Sequence, residues 1–187
     1  MPDPLLRRIS PEQMPDDLRS AWSDSMALRG DATFFEVFAN HPELFRWYVT
    51  SFYGEVFRQG RVAQRYKELL RLRLSTQHGC KFCNQGNRRD ALAAGLSGDE
   101  ISAIDDPANT ALSPADRAVL ALGDRLSLLE GQGTLDPELH QQLAPYFDDA
   151  QIIELGFIGS VLSGVAKFLF AFDLVEKEAT CPLHPQG

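Results

Sequence analysis

The chain has 187 residues, 44% of them hydrophobic and 24% charged, which suits one soluble domain large enough to bury a core. A formal net charge of −8 argues against nucleic acid as a main partner, and three cysteines do not make a secreted disulfide framework. No apolar run of signal-peptide length stands in MPDPLLRRISPEQMPDD, so a reducing, cytoplasmic location is expected.

Residues 1–10 read as an extended arm, because Pro2, Pro4 and Pro11 block an early helix. A first, weakly amphipathic helix is expected over 12–28. The aromatic text FFEVFANHPELFRWYVTSFYGEVF follows, and Asn40-His41-Pro42 divides it into two helices with Pro42 at the first position of the second. Helical spacing of these rings reads first as core. A sharper reading lets some of Phe34, Phe38, Trp47, Phe52 and Tyr53 line an apolar substrate pocket.

After the cysteine region, Gly95 suits a helix C-terminus. Ser97-x-x-Glu100 and Ser113-Pro114-Ala115-Asp116 are N-terminal capping patterns, the second opening a helix to about Leu129. Asp136-Pro137 caps another short helix. A last long helix is expected over 148–178, nearly all apolar from Leu155 to Phe172. Its length fits a membrane span, but Glu154, Lys167 and Asp173 interrupt or bracket it, so no membrane is assigned. Gly156, Ser160 and Gly164 form a small-residue stripe that suits close helix packing, and part of this helix is expected to be covered by a second subunit. Strand-type alternation is missing throughout. The expected fold is a single all-α domain over 1–187, with 180–187 as a C-terminal tail.

Chemistry concentrates in ELLRLRLSTQHGCKFCNQGN, residues 68–87. Cys80 and Cys83 are spaced to close a disulfide within one helical turn. If Cys80 opens a helix, unpaired N–H groups and the positive end of the helix dipole favour a thiolate there. One helix from about Val62 to Gln77, a turn at His78-Gly79 and an antiparallel helix from Cys80 would bring Glu68 to the second helix one or two turns past the cysteines. A carboxylate there suits proton acceptance or orientation.

Glu68 twelve positions before Cys80, the Cys-x-x-Cys itself, and the text DALAAGLSGDEI behind it resemble the carboxymuconolactone decarboxylase superfamily. Within that superfamily the resemblance is to the AhpD-like alkylhydroperoxidases, and it covers roughly residues 34–180. It implies a helical bundle, homo-oligomers, no cofactor, and a thiol peroxidase acting on a small hydroperoxide with a dithiol reductant. Carried over by position, Cys83 attacks the peroxide, Cys80 resolves the product as a disulfide, and Glu68 orients or accepts a proton. Two positions depart from the family pattern. Asn87 stands where the branch has a histidine four residues past the second cysteine, and Phe82 stands where its best-known members have another. Asparagine cannot titrate near neutral pH.

Competing readings attach to single residues. Glu68 could pair with Arg65 or Arg71, each three residues away on the same helix. His78 could replace the missing imidazoles or simply be a solvated loop residue. Cys181-Pro182-Leu183-His184 with the cysteine pair makes a formal Cys₃His set, but the long separation leaves the site without an assigned metal. Asn84 excludes c-type haem attachment. At the level of function, the alternatives to the peroxidase are a non-catalytic redox sensor or binding module and, less favoured, a lactone decarboxylase.

Overall fold

The computed structural model describes residues 1–106, 109–130 and 133–183, and every regular element among them is helical. A short 3₁₀ turn at Pro11–Gln13 precedes α1 (Asp16–Arg29), α2 (Thr33–Phe38) and α3 (Pro42–Arg46). Then come α4 (Gln64–Gln77), α5 (Lys81–Ala93), α6 (Gly98–Ser102), α7 (Pro114–Leu126), α8 (Pro137–Leu143) and α9 (Asp149–Ala171). The starts obey local chemistry. Ser97, Ser113 and Asp148 each accept a backbone N–H at the N-cap while the residue three positions on returns the bond. Asp136 caps α8 in the same way without the return bond. Pro42 is the first residue of α3, as the sequence pattern indicates, and His41 caps it through its ring.

Helix α4 is the hub and packs against α5, α7 and α9. Leu69, Leu70 and Leu72 lose all exposure on its inner faces. Its charged residues reach outward to different partners. Arg65 pairs with Glu100 and Asp116, Arg73 with Asp124, and buried Lys67 with Glu154 of α9 at 3.0 Å. Arg65 is therefore committed elsewhere and is not the partner of Glu68. Helix α9 approaches α7 closely at Gly159, where a Cβ would lie 2.5 Å from Leu126. Gly156 and Gly164 of the small-residue stripe face open space, so among the described residues no helix packs on them.

Three stretches differ from the sequence expectation, each for a local reason. Pro15 divides the expected first helix, leaving the 3₁₀ turn before it and α1 behind it. From Trp47 to Phe57 the chain continues out of α3 as a π-helix, a wide, rare winding that seats Tyr48, Val49 and Tyr53 against the cysteine region. Helix α9 stops at Ala171 rather than near Glu178. Asp173 takes a left-handed φ of 51°, Leu174 N–H returns to the Leu169 carbonyl, and Leu174 and Val175 bury themselves. The tail thus begins near Phe172, well before residue 180, and runs back across the start of α5.

Candidate active site

Sequence and backbone combine at the turn between α4 and α5. His78 ends α4, and Gly79 at φ 64° reverses the chain so that Cys80 becomes the N-cap of α5. Glycine is required there twice over: the conformation is left-handed, and a Cβ would lie 2.6 Å from the Cys181 backbone. Cys80 and Cys83 are joined as a disulfide, with their Cα atoms 5.2 Å apart. The Cys83 N–H also donates to Cys80 Sγ at 3.2 Å. When the bond opens, that donor and the helix dipole favour a Cys80 thiolate. Cys80 is 1% exposed, whereas Cys83 is half-buried.

Both sulfur residues border a cavity of about 220 Å³. Its apolar wall includes Phe34, Phe45, Tyr48, Tyr53, Phe82 and Leu169, drawn from five separate segments. Two of the five rings singled out from sequence, Phe34 and Tyr53, line it. Phe38 packs behind them against Phe34 and Phe168, Phe52 belongs to the core, and Trp47 is exposed. Tyr48 is half-buried, and desolvation of its hydroxyl pushes it well above the ordinary tyrosine range.

The polar residues divide into those that reach the cavity and one that does not. Asn87 lines it and donates through Nδ2 to Ser75 Oγ at 2.9 Å. Glu68 lies outside it, on a separate polar recess of about 430 Å³ shared with Gln64 and Arg58. The Glu68 carboxylate accepts from Gln64 at 2.8 Å and pairs closely with Arg71. Burial raises its affinity for a proton above the ordinary carboxylate, against the opposing pull of Arg71 and Gln64. Arg71 stands between the two spaces, and the same Nη2 that meets Glu68 also donates to Asp90 of α5 at 2.9 Å. Asp90 also pairs with Arg89, and although burial works against its ionisation the two guanidiniums outweigh it and hold its carboxyl below the usual range.

His78 is buried rather than solvated. Its Nε2 accepts from the Leu128 N–H at 3.0 Å, and burial lowers its pKa to about 4, so it is a neutral structural acceptor at physiological pH. Its carbonyl receives the Cys181 thiol at 3.0 Å. The tail carrying Cys181 straps the cysteine turn. Glu178 N–H donates to the Gly79 carbonyl at 2.8 Å, Phe82 N–H donates to the Glu176 carbonyl, and Lys81 pairs with the Glu176 side chain. Among the described residues no three His, Cys, Asp or Glu side chains converge on a metal position, and His184 lies outside those residues.

Sequence reasoning passed over Arg29 and Gly86. Arg29 at the end of α1 donates through Nε to the Phe82 carbonyl at 3.0 Å and lays its guanidinium over the Phe82 ring at 4.4 Å. A Cβ on Gly86 would lie 2.2 Å from the Arg29 guanidinium, so the missing side chain makes its berth. A glycine in mid-helix costs roughly 1 kcal/mol against alanine, and that cost was the available signal.

Known proteins share this fold. The model of the carboxymuconolactone decarboxylase family matches residues 42–125. The uncharacterized protein YdfG of Bacillus subtilis is 26% identical over 102 residues, 54% of this chain and 69% of that one. Among solved structures, the debrominase Bmp8 superposes with a TM-score of 0.73 at 18% identity, covering 95% of this chain and 94% of its own. An uncharacterized peroxidase-related protein from Ralstonia eutropha, with an alkylhydroperoxidase AhpD core, superposes with a TM-score of 0.65 at 14% identity over 96% and 94% of the two chains. Residues 42–125 thus match the carboxymuconolactone decarboxylase family model, and the helical fold of the chain is AhpD-like.

Proposed function

We propose that the chain is a thiol-dependent peroxidase that reduces a small hydroperoxide at the Cys80–Cys83 pair. The observation that carries this reading is a bondable cysteine pair at a helix start, bordering an aromatic cavity. Cys83, the more exposed sulfur, attacks as thiolate the terminal peroxide oxygen. The O–O bond breaks, the alkoxide leaves and takes a proton as the alcohol, and Cys83 becomes a sulfenic acid. The Cys80 thiol displaces hydroxide from that sulfur, which leaves as water, and the disulfide forms. An external dithiol then attacks Cys83, and Cys80 departs as a thiolate stabilised by the Cys83 N–H. The net change converts hydroperoxide and dithiol into alcohol, water and disulfide. Asn87 and Ser75 position water or substrate in this scheme, and Glu68 acts only through Arg71. We further propose a homo-oligomer that covers the outer face of α9.

Intact-mass analysis after one equivalent of cumene hydroperoxide should show loss of two hydrogens confined to the peptide carrying Cys80 and Cys83. Turnover should follow with a dithiol such as dihydrolipoamide. Both thiols remaining alkylatable would end the redox reading, and a reversible disulfide without turnover would favour a sensor.

One comparison supports a second reading. The debrominase structures cover nearly the whole chain, and one of them, a Bmp8 variant at 0.69 TM-score, holds 2,3,4-tribromopyrrole. A cysteine pair can deliver two electrons to an aryl bromide, giving arene, bromide, a proton and disulfide. Bromide release from tribromopyrrole, measured alongside hydroperoxide turnover, separates the two chemistries.

A further inference from the structure

The cavity beside Cys83 holds a cation that the peroxidase scheme does not use. Arg29 donates through Nε to a main-chain carbonyl and rests on the Phe82 ring, and it makes no ion pair among the described residues. Two carboxylates lie near enough to act on its charge, Asp90 and Asp31, but neither comes within ion-pair distance, and Asp31 Oδ2 is buried without a hydrogen-bond partner. Asp90 serves Arg71 and Arg89, and Asp31 Oδ1 holds the backbone N–H and hydroxyl of Thr33. Burial lowers the affinity of Arg29 for its proton; the charges of Arg89 and Arg71 add to that cost, and those of Asp90 and Asp31 offset it only in part. A guanidinium laid on an aromatic ring with no carboxylate in direct contact is a costly arrangement that an incoming anion would relieve.

Local construction points the same way. Gly86 gives up helix propensity so that the guanidinium fits against α5 one turn past Phe82. Among the other polar groups lining the space, Arg71 and Asp90 are paired with each other, Asn87 with Ser75, and His78 with the Leu128 N–H. The protein carries a net charge of −8, so attraction for an anion at this place is local and not a property of the whole surface. Size bounds the rest of the ligand. A cavity of about 150 Å³ accepts benzene, so 220 Å³ takes one ring or a similar apolar body plus a few atoms.

We propose that Arg29 is the specificity determinant of this cavity, selecting a monocyclic aromatic substrate that carries one carboxylate. The ring lies against Phe34 and Phe45, and the carboxylate pairs with Arg29 beside the Cys83 end of α5. This deepens the reading of the cavity as the substrate site and rests on it. The natural substrate is then an aryl-carboxylate hydroperoxide or, under the second reading, a halogenated aryl carboxylate.

The test uses the full-length disulfide form and needs no turnover. Phenylacetate and its neutral isostere phenylacetamide are titrated by calorimetry into the wild type, Arg29→Gln and Arg29→Lys. Wild type should prefer phenylacetate at least tenfold, Arg29→Gln should abolish that preference, and Arg29→Lys should restore part of it. In the reduced wild type, saturating phenylacetate should slow alkylation of Cys83 by iodoacetamide at least threefold, which places the ligand without any variant. Failure of wild type to bind phenylacetate, equal binding of acid and amide, or a preference that survives in a folded Arg29→Gln overturns the inference. A protein that selects phenylacetate and protects Cys83, yet leaves hydroperoxide untouched, keeps the specificity and loses only the reaction.

Discussion

Arg71 of α4 meets Asp90 of α5 at 2.9 Å, and this contact walls Glu68 off from the cysteine cavity. The antiparallel helix pair does bring Glu68 towards α5 two turns past the cysteines, but what it meets there is Asp90. Glu68 reaches it only through a guanidinium. A side chain that never releases its proton cannot pass one, so Arg71 fixes geometry and charge rather than relaying protons.

Asn87→His is therefore expected to speed the peroxidase without help from Glu68. The imidazole would occupy the cavity wall with Ser75 Oγ as its neighbour, where Asn87 Nδ2 now donates. General acid–base assistance is worth about 10²–10⁴-fold when fully organised, and a single hydroxyl partner should deliver the low end, up to about 10². A four-protein cycle of Asn87→His with Glu68→Gln, assayed with cumene hydroperoxide, should show a gain of similar size in both backgrounds. A gain seen only with Glu68 present would mean that Arg71 does not isolate the carboxylate.

His78 makes stability depend on pH. Its folded pKa of about 4 lies below the ordinary 6.5, so the folded state resists protonation. Its contribution is fully present above pH 6.5 and is lost as pH falls towards 4. The linkage amounts to roughly 2 kcal/mol between pH 7 and pH 5. Urea titrations across that range should show the loss in wild type and a flatter profile in His78→Gln, whose amide oxygen can still accept from Leu128. Parallel profiles would contradict a buried, neutral imidazole.

The Lys67–Glu154 pair should carry a large share of the stability of the α4–α9 contact. Lys67 is 1% exposed, and the Glu154 carboxylate also accepts the Arg61 and Val62 N–H groups. Removing it leaves a buried ammonium, so Glu154→Ala should cost about 3–5 kcal/mol in chemical denaturation at pH 7. Burial opposes ionisation of Glu154, but the two N–H groups and Lys67 prevail and hold its carboxyl below the ordinary value. Its stabilisation is present above that ordinary value and disappears as pH falls through the lowered one. The gap between wild type and Glu154→Ala should narrow accordingly in acid.

Gly164→Leu separates assembly from folding. Beyond the adjacent residues and the backbone of its own helix, no described atom lies within 4 Å of a Cβ at Gly164, while Ile153 and Phe157 of the same helix are 71% and 56% exposed. The substitution should leave the thermal midpoint of a monomer unchanged or raised, since glycine is a poor helix former. Sedimentation velocity should show a smaller assembly for the variant than for wild type. A wild type that sediments as a monomer at micromolar concentration removes the proposed oligomer.

Much of the helical framework is legible because its signals are local. The caps at Ser97, Ser113 and Asp136, and the reversal at Gly79 before Cys80, depend on residues a few positions apart. What escapes is decided by distant partners. Apolar text through Phe172 reads as continuing helix, yet Asp173 turns and the tail finds a better hold on the Gly79 carbonyl and Phe82 N–H. The π-winding of Trp47–Phe57 has no compositional mark, and its effect is to aim Tyr48 and Tyr53 at a site assembled from elsewhere. Glu68 keeps its sequence spacing from the cysteines, but spacing alone does not reveal that Arg71 stands between them. Arg29 is farther still: fifty-three positions separate it from the carbonyl it holds, with only a costly mid-helix glycine to announce it.

The strap across the cysteine turn ties electron transfer to chain docking. Gly79 and Phe82, which hold the tail through their backbones, flank the sulfur atoms that change covalent state. Any difference in how firmly residues 173–183 dock on the disulfide and dithiol forms must reappear, with equal magnitude, as a displacement of the pair's reduction potential. The conversion is about 30 mV for each 1.4 kcal/mol of docking preference. A partner that peeled the tail away would therefore retune the couple without approaching either sulfur.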